Sequence, residues 1–235
     1  MHNVAMPTHA LFDFFGTLVD YSPSRTEQGY EQTHALLRRM GAEISYVDFL
    51  TAWSETSAGF DRRADVDDRE FSMTEAGTEF LGVVLGRSLG VDEISAFVDC
   101  YVGEWNKGVT YRSEVVVCLD ELAANYRLAV VSNTHQPGLV QGHLAAMGVL
   151  DRFEAVVTSI DFGWRKPHPK IYSAALDTLG IEAQAAVFVG DSYEPDFLGP
   201  ERAGIRAFLI DPQRQTTVPD ERRLESVLDL PDRLP

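Results

Sequence analysis

The sequence predicts an α/β fold: a doubly wound parallel sheet core, interrupted after its first strand by an inserted α-helical domain. Three observations predict it. Residues 10–12, 128–131, 153–158, 186–189 and 207–210 are short, nearly continuous apolar runs, the pattern of strands buried on both faces. From residue 113 onward these runs alternate with helical patterns, as parallel strand–helix–strand units require. Between the first run and the second, by contrast, only helical periodicity is found. The core is therefore expected at residues 1–20 and 108–235, and the helical insertion at 21–107.

Taken in order, residues 10–12 form a strand that stops at Asp13, and Gly16-Thr17 turn the chain. Residues 24–40 read as a helix with Ser24 as N-cap, Glu27 completing a capping box and Gly41 ending it. Residues 46–60 are a second helix, with Phe49, Leu50, Trp53 and Phe60 at helical spacing. Residues 62–69 are a charged, Asp-rich connector. Residues 74–89 and 92–106 are the third and fourth helices; Phe80, Leu81, Phe97 and Tyr101 face inward, and Trp53, Phe60 and Trp105 are expected in the core of this domain. Residues 115–125 form a helix, and the strand at 128–131 ends in Ser132-Asn133-Thr134. A helix at 137–147 closes at Gly148. The strand at 153–158 precedes a helix at 169–179 with Pro169 at its start and Gly180 at its end. The strand at 186–189 ends in Gly190-Asp191. A short helix at 195–203 closes at Gly204, and the strand at 207–210 ends in Asp211.

Composition narrows the class. The 235 residues are 45% hydrophobic and 24% charged, enough to bury a core without staples. The formal charge is −16, from 20 basic and 36 acidic residues. No basic surface is available for a phosphate backbone, so nucleic acid is not an expected partner. A small anionic substrate is compatible, because one Lys and a few backbone N–H groups can hold it. Cys100 and Cys118 lie in apolar helical stretches and read as thiols, not a disulfide. The N-terminus carries no leader pattern and no apolar run is long enough to span a bilayer. The expectation is a cytoplasmic protein without a membrane partner, monomeric or homodimeric.

Chemistry-bearing residues gather at the predicted strand ends. Asp13 follows the first strand, Ser132 and Asn133 follow the second, and Gly190-Asp191-Ser192-Tyr193-Glu194-Pro195-Asp196 follows the strand at 186–189. Lys166 lies in Trp164-Arg165-Lys166-Pro167-His168-Pro169, just before a helix. Open α/β sheets form their ligand crevice at the carboxyl ends of their strands. A carboxylate nucleophile, a hydroxyl-and-amide anion binder, a lysine and two further carboxylates are the parts that phosphoryl transfer uses, with Mg²⁺ on the transferring oxygens.

These four stretches, in this order and at these spacings, resemble the four motifs of the haloacid dehalogenase-like hydrolase superfamily. The resemblance covers the whole chain and implies a Rossmann-like catalytic core with a helical C1-type cap inserted after the first motif. It implies that Asp13 forms a covalent aspartyl intermediate, that Ser132 and Asn133 bind the substrate anion, and that Lys166 neutralises the nucleophile and the transferring group. Asp13, Asp191, Asp196 and the main-chain carbonyl of Phe15 would hold Mg²⁺. Thr17, and Tyr21 and Arg25 at the start of the cap, are further candidate substrate contacts. Lys170, one helical turn beyond Lys166, is its rival; Lys166 is preferred because it directly precedes Pro167, as in the family. His135 and His168 are assigned to the surface or to capping, and Asp20 and Asp211 to turns.

One position departs from the phosphatase pattern. Family phosphatases usually carry a second Asp two residues after the nucleophile, where this chain has Phe15. A missing general acid typically lowers the rate by ~10²–10⁴. Haloacid dehalogenases carry an aromatic residue there, because halide leaves without a proton. Gly190-Asp191 followed by Asp196 is, however, the phosphatase form of the fourth motif, and two acids added beside Asp13 call for a cation or else for raised pKa values. The resemblance thus favours a Mg²⁺-dependent phosphatase of a small phosphorylated metabolite. The alternatives are a metal-independent 2-haloacid dehalogenase and a binding or scaffold protein with little turnover.

Overall fold

The computed structural model describes residues 6–22, 24 and 26–234. In chain order its elements are β1 (His9–Phe12), β2 (Asp20–Tyr21), α1 (Glu31–Arg39), α2 (Tyr46–Ala64), α3 (Met73–Leu85), α4 (Val91–Trp105), β3 (Val109–Thr110) and α5 (Ser113–Ala123). There follow β4 (Arg127–Ser132), α6 (Leu139–Ala146), β5 (Phe153–Thr158), α7 (Ser159–Phe162), α8 (Pro169–Leu179), β6 (Ala186–Gly190), α9 (Gly199–Arg202), β7 (Arg206–Ile210) and β8 (Arg223–Leu224). The chain divides into two compact units, Met1–Asp20 with Tyr111–Pro235, and Tyr21–Thr110.

The first unit is built on a six-stranded sheet of order β5-β4-β1-β6-β7-β8, parallel at every pairing. β1 is central: its Phe12 lies beside Val130 of β4 and Val189 of β6. From β1 the strand order runs one way through β4 and β5 and the other way through β6 to β8. This reversal is where an open sheet leaves a crevice at its carboxyl edge, and Asp13 is the next residue after β1. The apolar runs explain the sheet. β1 and β6 are buried along their whole length, and Leu11, Val131 and Phe188 pack with Ile171, Tyr172 and Ala175 of α8.

At the far edge Asp211 organises the end of β7 as more than a turn residue. It is buried against Arg223 of β8 and accepts hydrogen bonds from the amides of Gln215 and Thr216, at 2.9 and 3.0 Å.

The second unit packs α1–α4 around Phe49, Trp53, Phe80 and Phe97, with Trp53 edge-on to Phe97 at 5.3 Å. Gly77 brings α3 close to α4: a Cβ there would stand 3.2 Å from Val98 and 3.3 Å from Phe97. Ser72 and Glu75 form the capping box of α3, and Gly86, at φ 61°, ends it.

Several expected boundaries move. The helix expected from residue 24 begins only at Glu31, because Gly29 adopts φ 74° and breaks the register. The Ser24–Glu27 capping box does not form, and Ser22 donates to Glu27 instead. The start of α1 is capped from another helix. Buried Glu104 of α4 accepts the Gln32 amide at 3.0 Å, the Thr33 amide at 2.8 Å and the Thr33 hydroxyl at 2.7 Å. Burial alone would raise the pKa of Glu104, but the Thr33 hydroxyl and these amides outweigh it and hold the group below its ordinary value. The third helix stops at Leu85, where Gly86 turns left-handed, and the second runs on to Ala64. The helix expected at 137–147 shortens to α6 because Gly138, at φ 72°, precedes it. The short helix expected at 195–203 is a wide π-type turn over Tyr193–Leu198 followed by α9. The short elements β2, β3, α7 and β8 carry no sequence signal of their own. Both cysteines are free thiols, as expected. Among the described residues no helix is long and apolar enough to cross a membrane.

Glu104→Ala is expected to lower the unfolding free energy by about 2 kcal/mol, since it strands buried amides. Ser24→Ala, at an exposed position, is expected to change it by less than about 0.5 kcal/mol. Urea denaturation of both variants checks this; equal losses would show that Glu104 is not the cap.

Candidate active site

The residues at the carboxyl edge of β1 converge on one ammonium. Lys166 Nζ donates to Asp13 Oδ1 at 2.8 Å and to Asp196 Oδ1 at 2.6 Å, and all three side chains are buried. Asp13 is fixed by its own amide, which continues the ladder to the Val189 carbonyl at 2.8 Å. Asp196 is fixed through its second oxygen, which accepts the Ser192 amide at 3.0 Å. The rival Lys170 stands elsewhere, its Nζ 3.9 Å above the Trp164 ring. His168 caps α8 by accepting the Lys170 amide at 3.2 Å.

Glycines make room for this cluster. Gly16 adopts φ 87°, and a Cβ there would lie 2.3 Å from Asp191 Oδ2. A Cβ on Gly190 would lie 2.4 Å from Cβ and Cγ of Asp196. Neither position can carry a side chain without moving a carboxylate.

The expected anion binders separate. Ser132, at the end of β4, is fully buried, and its hydroxyl has no hydrogen-bond partner among the described residues. Such an orphaned donor at a strand end suits a ligand oxygen. Asn133 is engaged with the main chain of Lys166. Its Oδ1 accepts the Lys166 amide at 2.7 Å, and its Nδ2 donates to the Lys166 carbonyl at 2.9 Å. It holds the lysine loop, and its Nδ2 keeps a second hydrogen that can be given to an anion. Thr17 is wholly buried, and its hydroxyl faces Asp13 Oδ2 at 3.5 Å. Tyr21 sits in the second unit with its ring 6.4 Å from Trp105. Arg25 lies outside the described residues.

Phe15 is half-buried, its ring edge-on to Phe14 at 4.9 Å and to His143 at 5.8 Å. His143 Nδ1 is 2.7 Å from the Tyr111 hydroxyl, and burial lowers the pKa of His143. The position two residues after Asp13 is therefore walled by rings. The Tyr111–His143 pair had no signal in the sequence, because its members are far apart in the chain and match no motif.

The charges do not balance within the protein. Asp13, Asp191 and Asp196 each offer an oxygen, and these lie within 4.8 Å of one another. Burial pulls the Lys166 pKa down, but Asp13 and Asp196 outweigh it and keep the ammonium charged. Burial and then the Asp13 charge push Asp191 up to about 6, against Lys166. Burial likewise pushes Asp196 up, with Lys166 opposing. Three carboxylates facing one ammonium leave room for a hard cation, and carboxylate oxygens are the donors Mg²⁺ prefers. The residues present fit that ion.

A parallel sheet with a carboxylate–lysine cluster at its topological switch defines an α/β protein equipped to hold an anion against a cation. The family model described as haloacid dehalogenase-like hydrolase matches residues 7–204, and the chain belongs to that family. It is 37% identical over 110 residues to human haloacid dehalogenase-like hydrolase domain-containing protein 3, covering 44% of this chain and 43% of that one. It is 28% identical over 215 residues to phosphoglycolate phosphatase from Rhodospirillum rubrum, covering 87% and 80%. A glyceraldehyde 3-phosphate phosphatase from Methanothermobacter thermautotrophicus is 33% identical over 96 residues, covering 40% and 41%. The first of these matches spans less than half the length of the relative. Among solved structures, a 2-haloacid dehalogenase from Pseudomonas syringae pv. Tomato DC3000 superposes with a TM-score of 0.69 at 24% identity, covering 97% and 98%. The protein YfnB from Bacillus subtilis, bound to magnesium, gives 0.67 at 16% identity, covering 96% and 97%. These likenesses show the fold.

The raised pKa of Asp191 has a consequence for stability. Its folded value, about 6, lies above the ordinary carboxylate value of about 3.9. The folded state therefore binds more protons between about pH 4 and 6, and the metal-free protein loses stability as pH rises through that window. Asp191→Asn is expected to stabilise the metal-free protein at pH 7.5 by about 1–2 kcal/mol, with the gain vanishing near pH 4. Urea unfolding in EDTA at both pH values measures this; a variant less stable than the parent at pH 7.5 would refute it.

Proposed function

We propose that the protein is a Mg²⁺-dependent phosphatase of a small phosphorylated metabolite, working through a phosphoaspartate on Asp13. The observation that carries this reading is the trio Asp13, Asp191 and Asp196 opposed by the single charge of Lys166. The similarity to the phosphatases named above supports it.

In this reading Asp13, Asp191, Asp196 and the Phe15 carbonyl hold the metal. Bound there, Mg²⁺ would offset the negative charge of the phosphoryl group and of the attacking carboxylate. The rest belongs to the chain. An Asp13 oxygen attacks phosphorus, a P–O bond to Asp13 forms, and the bond to the leaving oxygen breaks. Water then attacks the same phosphorus and releases inorganic phosphate, restoring the carboxylate. Lys166 holds Asp13 in place through Oδ1 and neutralises the charge that gathers around it. The Ser132 hydroxyl donates to a phosphoryl oxygen. Asn133 fixes Lys166 through its backbone, and Thr17 steadies Asp13. Phe15 has no proton to give the leaving oxygen, so substrates whose leaving groups are weak bases, such as acyl phosphates, are favoured.

The second reading is a metal-independent 2-haloacid dehalogenase, favoured by Phe15, whose ring stands where halide departure needs no acid. There Asp13 would attack carbon and displace halide. A third, catalytically weak binding role follows if the missing acid is not replaced.

With acetyl phosphate and p-nitrophenyl phosphate, turnover is expected with Mg²⁺ and its loss in EDTA. Asp13→Asn is expected to lower it by at least about 10³-fold. Simple alkyl phosphates should turn over about 10²–10⁴-fold more slowly than acetyl phosphate. Halide release from 2-chloropropionate in EDTA, without phosphatase activity, would establish the second reading. Binding of phosphorylated compounds with neither reaction would establish the third.

A further inference from the structure

Asp196 owes its place to an unusual turn. Over Tyr193–Leu198 the backbone widens into a π-type turn, in which the Gly199 amide donates to the Glu194 carbonyl five residues back. In that register the next carbonyl, Pro195, should receive the amide of residue 200. That residue is Pro200 and has no N–H. The Gly199 amide is already engaged, so the turn cannot supply the bond from within.

Tyr172 of α8 supplies it. Its hydroxyl donates to the Pro195 carbonyl, and its side chain is wholly buried. Space for the phenol is built in: a Cβ on Gly199 would lie 2.1 Å from the Tyr172 hydroxyl oxygen and 2.7 Å from Cζ. The same ring packs edge-on to Phe188 of β6 at 6.0 Å and 80°. The Phe188 ring in turn lies 5.2 Å from Lys166 Nζ. Tyr172 thus borders both partners of the Lys166–Asp196 pair, one through the main chain next to Asp196 and the other through an aromatic ring.

We infer that Tyr172 is a positioning residue of the active site: its hydroxyl replaces the donor that Pro200 lacks, and so holds the π-type turn that aims Asp196 at Lys166. Local distortions of this kind concentrate at functional sites, and here the stabilising group comes from outside the helix. The inference depends on the Asp196–Lys166 contact and not on the phosphatase reading, though it predicts an effect on the metal site if that reading holds.

Tyr172→Phe keeps the ring and removes only the hydroxyl. Pro200→Ala returns an N–H to the turn at the position facing the Pro195 carbonyl. In metal-free protein, amide exchange at Ser192 and Asp196, whose N–H groups bond within this turn, is expected to accelerate by about tenfold in Tyr172→Phe. The Tyr172→Phe/Pro200→Ala double variant should recover most of that protection. Calorimetric titration with Mg²⁺ should show the dissociation constant raised about 3–10-fold in the single variant and restored in the double. Unchanged exchange at Ser192 and Asp196, or a lowered melting temperature that Pro200→Ala does not repair, would overturn the inference. Should the parent protein bind no Mg²⁺ while the exchange pattern holds, the metal-dependent reading fails and the role of Tyr172 stands.

Discussion

The structure depends most on one buried ammonium shared between two carboxylates. Lys166 lies between β5 and β6 in sequence, Asp13 ends β1, and Asp196 follows β6. Three separate segments therefore meet in a pair of charge-assisted hydrogen bonds of 2.8 and 2.6 Å. Burying an ion pair is a weak source of stability, because desolvation offsets much of the attraction. Its effect here is to fix geometry: removing any one partner leaves an uncompensated charge in the protein interior. With Asp191 close by, the cluster carries more negative charge than the chain neutralises. The metal-free protein must tolerate a raised pKa at Asp191 in consequence, a strain of the kind that functional sites retain.

Around this cluster the backbone is arranged by what is missing from particular residues. Gly16 and Gly190 lack a Cβ where the carboxylates of Asp191 and Asp196 must pass. Pro200 lacks an N–H where a carbonyl needs one. Gly199 lacks a side chain where the Tyr172 phenol enters. Asn133 bonds the main chain of Lys166 through both its amide nitrogen and its oxygen, so a residue beside the orphaned Ser132 hydroxyl also fixes the lysine. A side chain at Gly16, Gly190 or Gly199 would have to displace Asp191, Asp196 or Tyr172.

Much of this was legible in the sequence, for identifiable reasons. Apolar runs mark the strands and a Pro–Gly bracket marks α8, so β5 and α8 fall on the expected residues, and β1, β4, β6 and β7 are extended by one or two. Asp13, Lys166, Asp191 and Asp196 could be singled out because each sits at a strand end or before a helix, where side chains face the crevice. What escaped is what depends on partners distant in the chain. The Ser24–Glu27 pattern is a correct local signal for a helix start, but Gly29 breaks the register and Glu104, more than seventy residues on, caps the real start. The contacts of Thr17 with Asp13 and of Asn133 with the main chain of Lys166 had no sequence signal, because the partners of Asn133 lie more than thirty residues on. Tyr172 carries no motif signal in the sequence, and its hydroxyl acquires a meaning only beside Pro195.

Phe15 is where these constraints bear on the chemistry. Its ring packs edge-on to Phe14 and His143, so the site beyond the nucleophile is walled with apolar edges where a carboxyl would protonate a leaving group. A fourth carboxylate there would add negative charge to a cluster that already exceeds the charge of Lys166, and an aromatic residue avoids that. The acidic pair at Asp191 and Asp196 has no comparable use in displacing halide from carbon, where extra carboxylates repel an anionic substrate. Under the proposed phosphatase reading, retaining both acids while dispensing with the proton donor is coherent with phosphoryl transfer from a group that departs without help. On that account the aromatic wall narrows the range of leaving groups, and the chemistry of the nucleophile stays that of the acidic cluster.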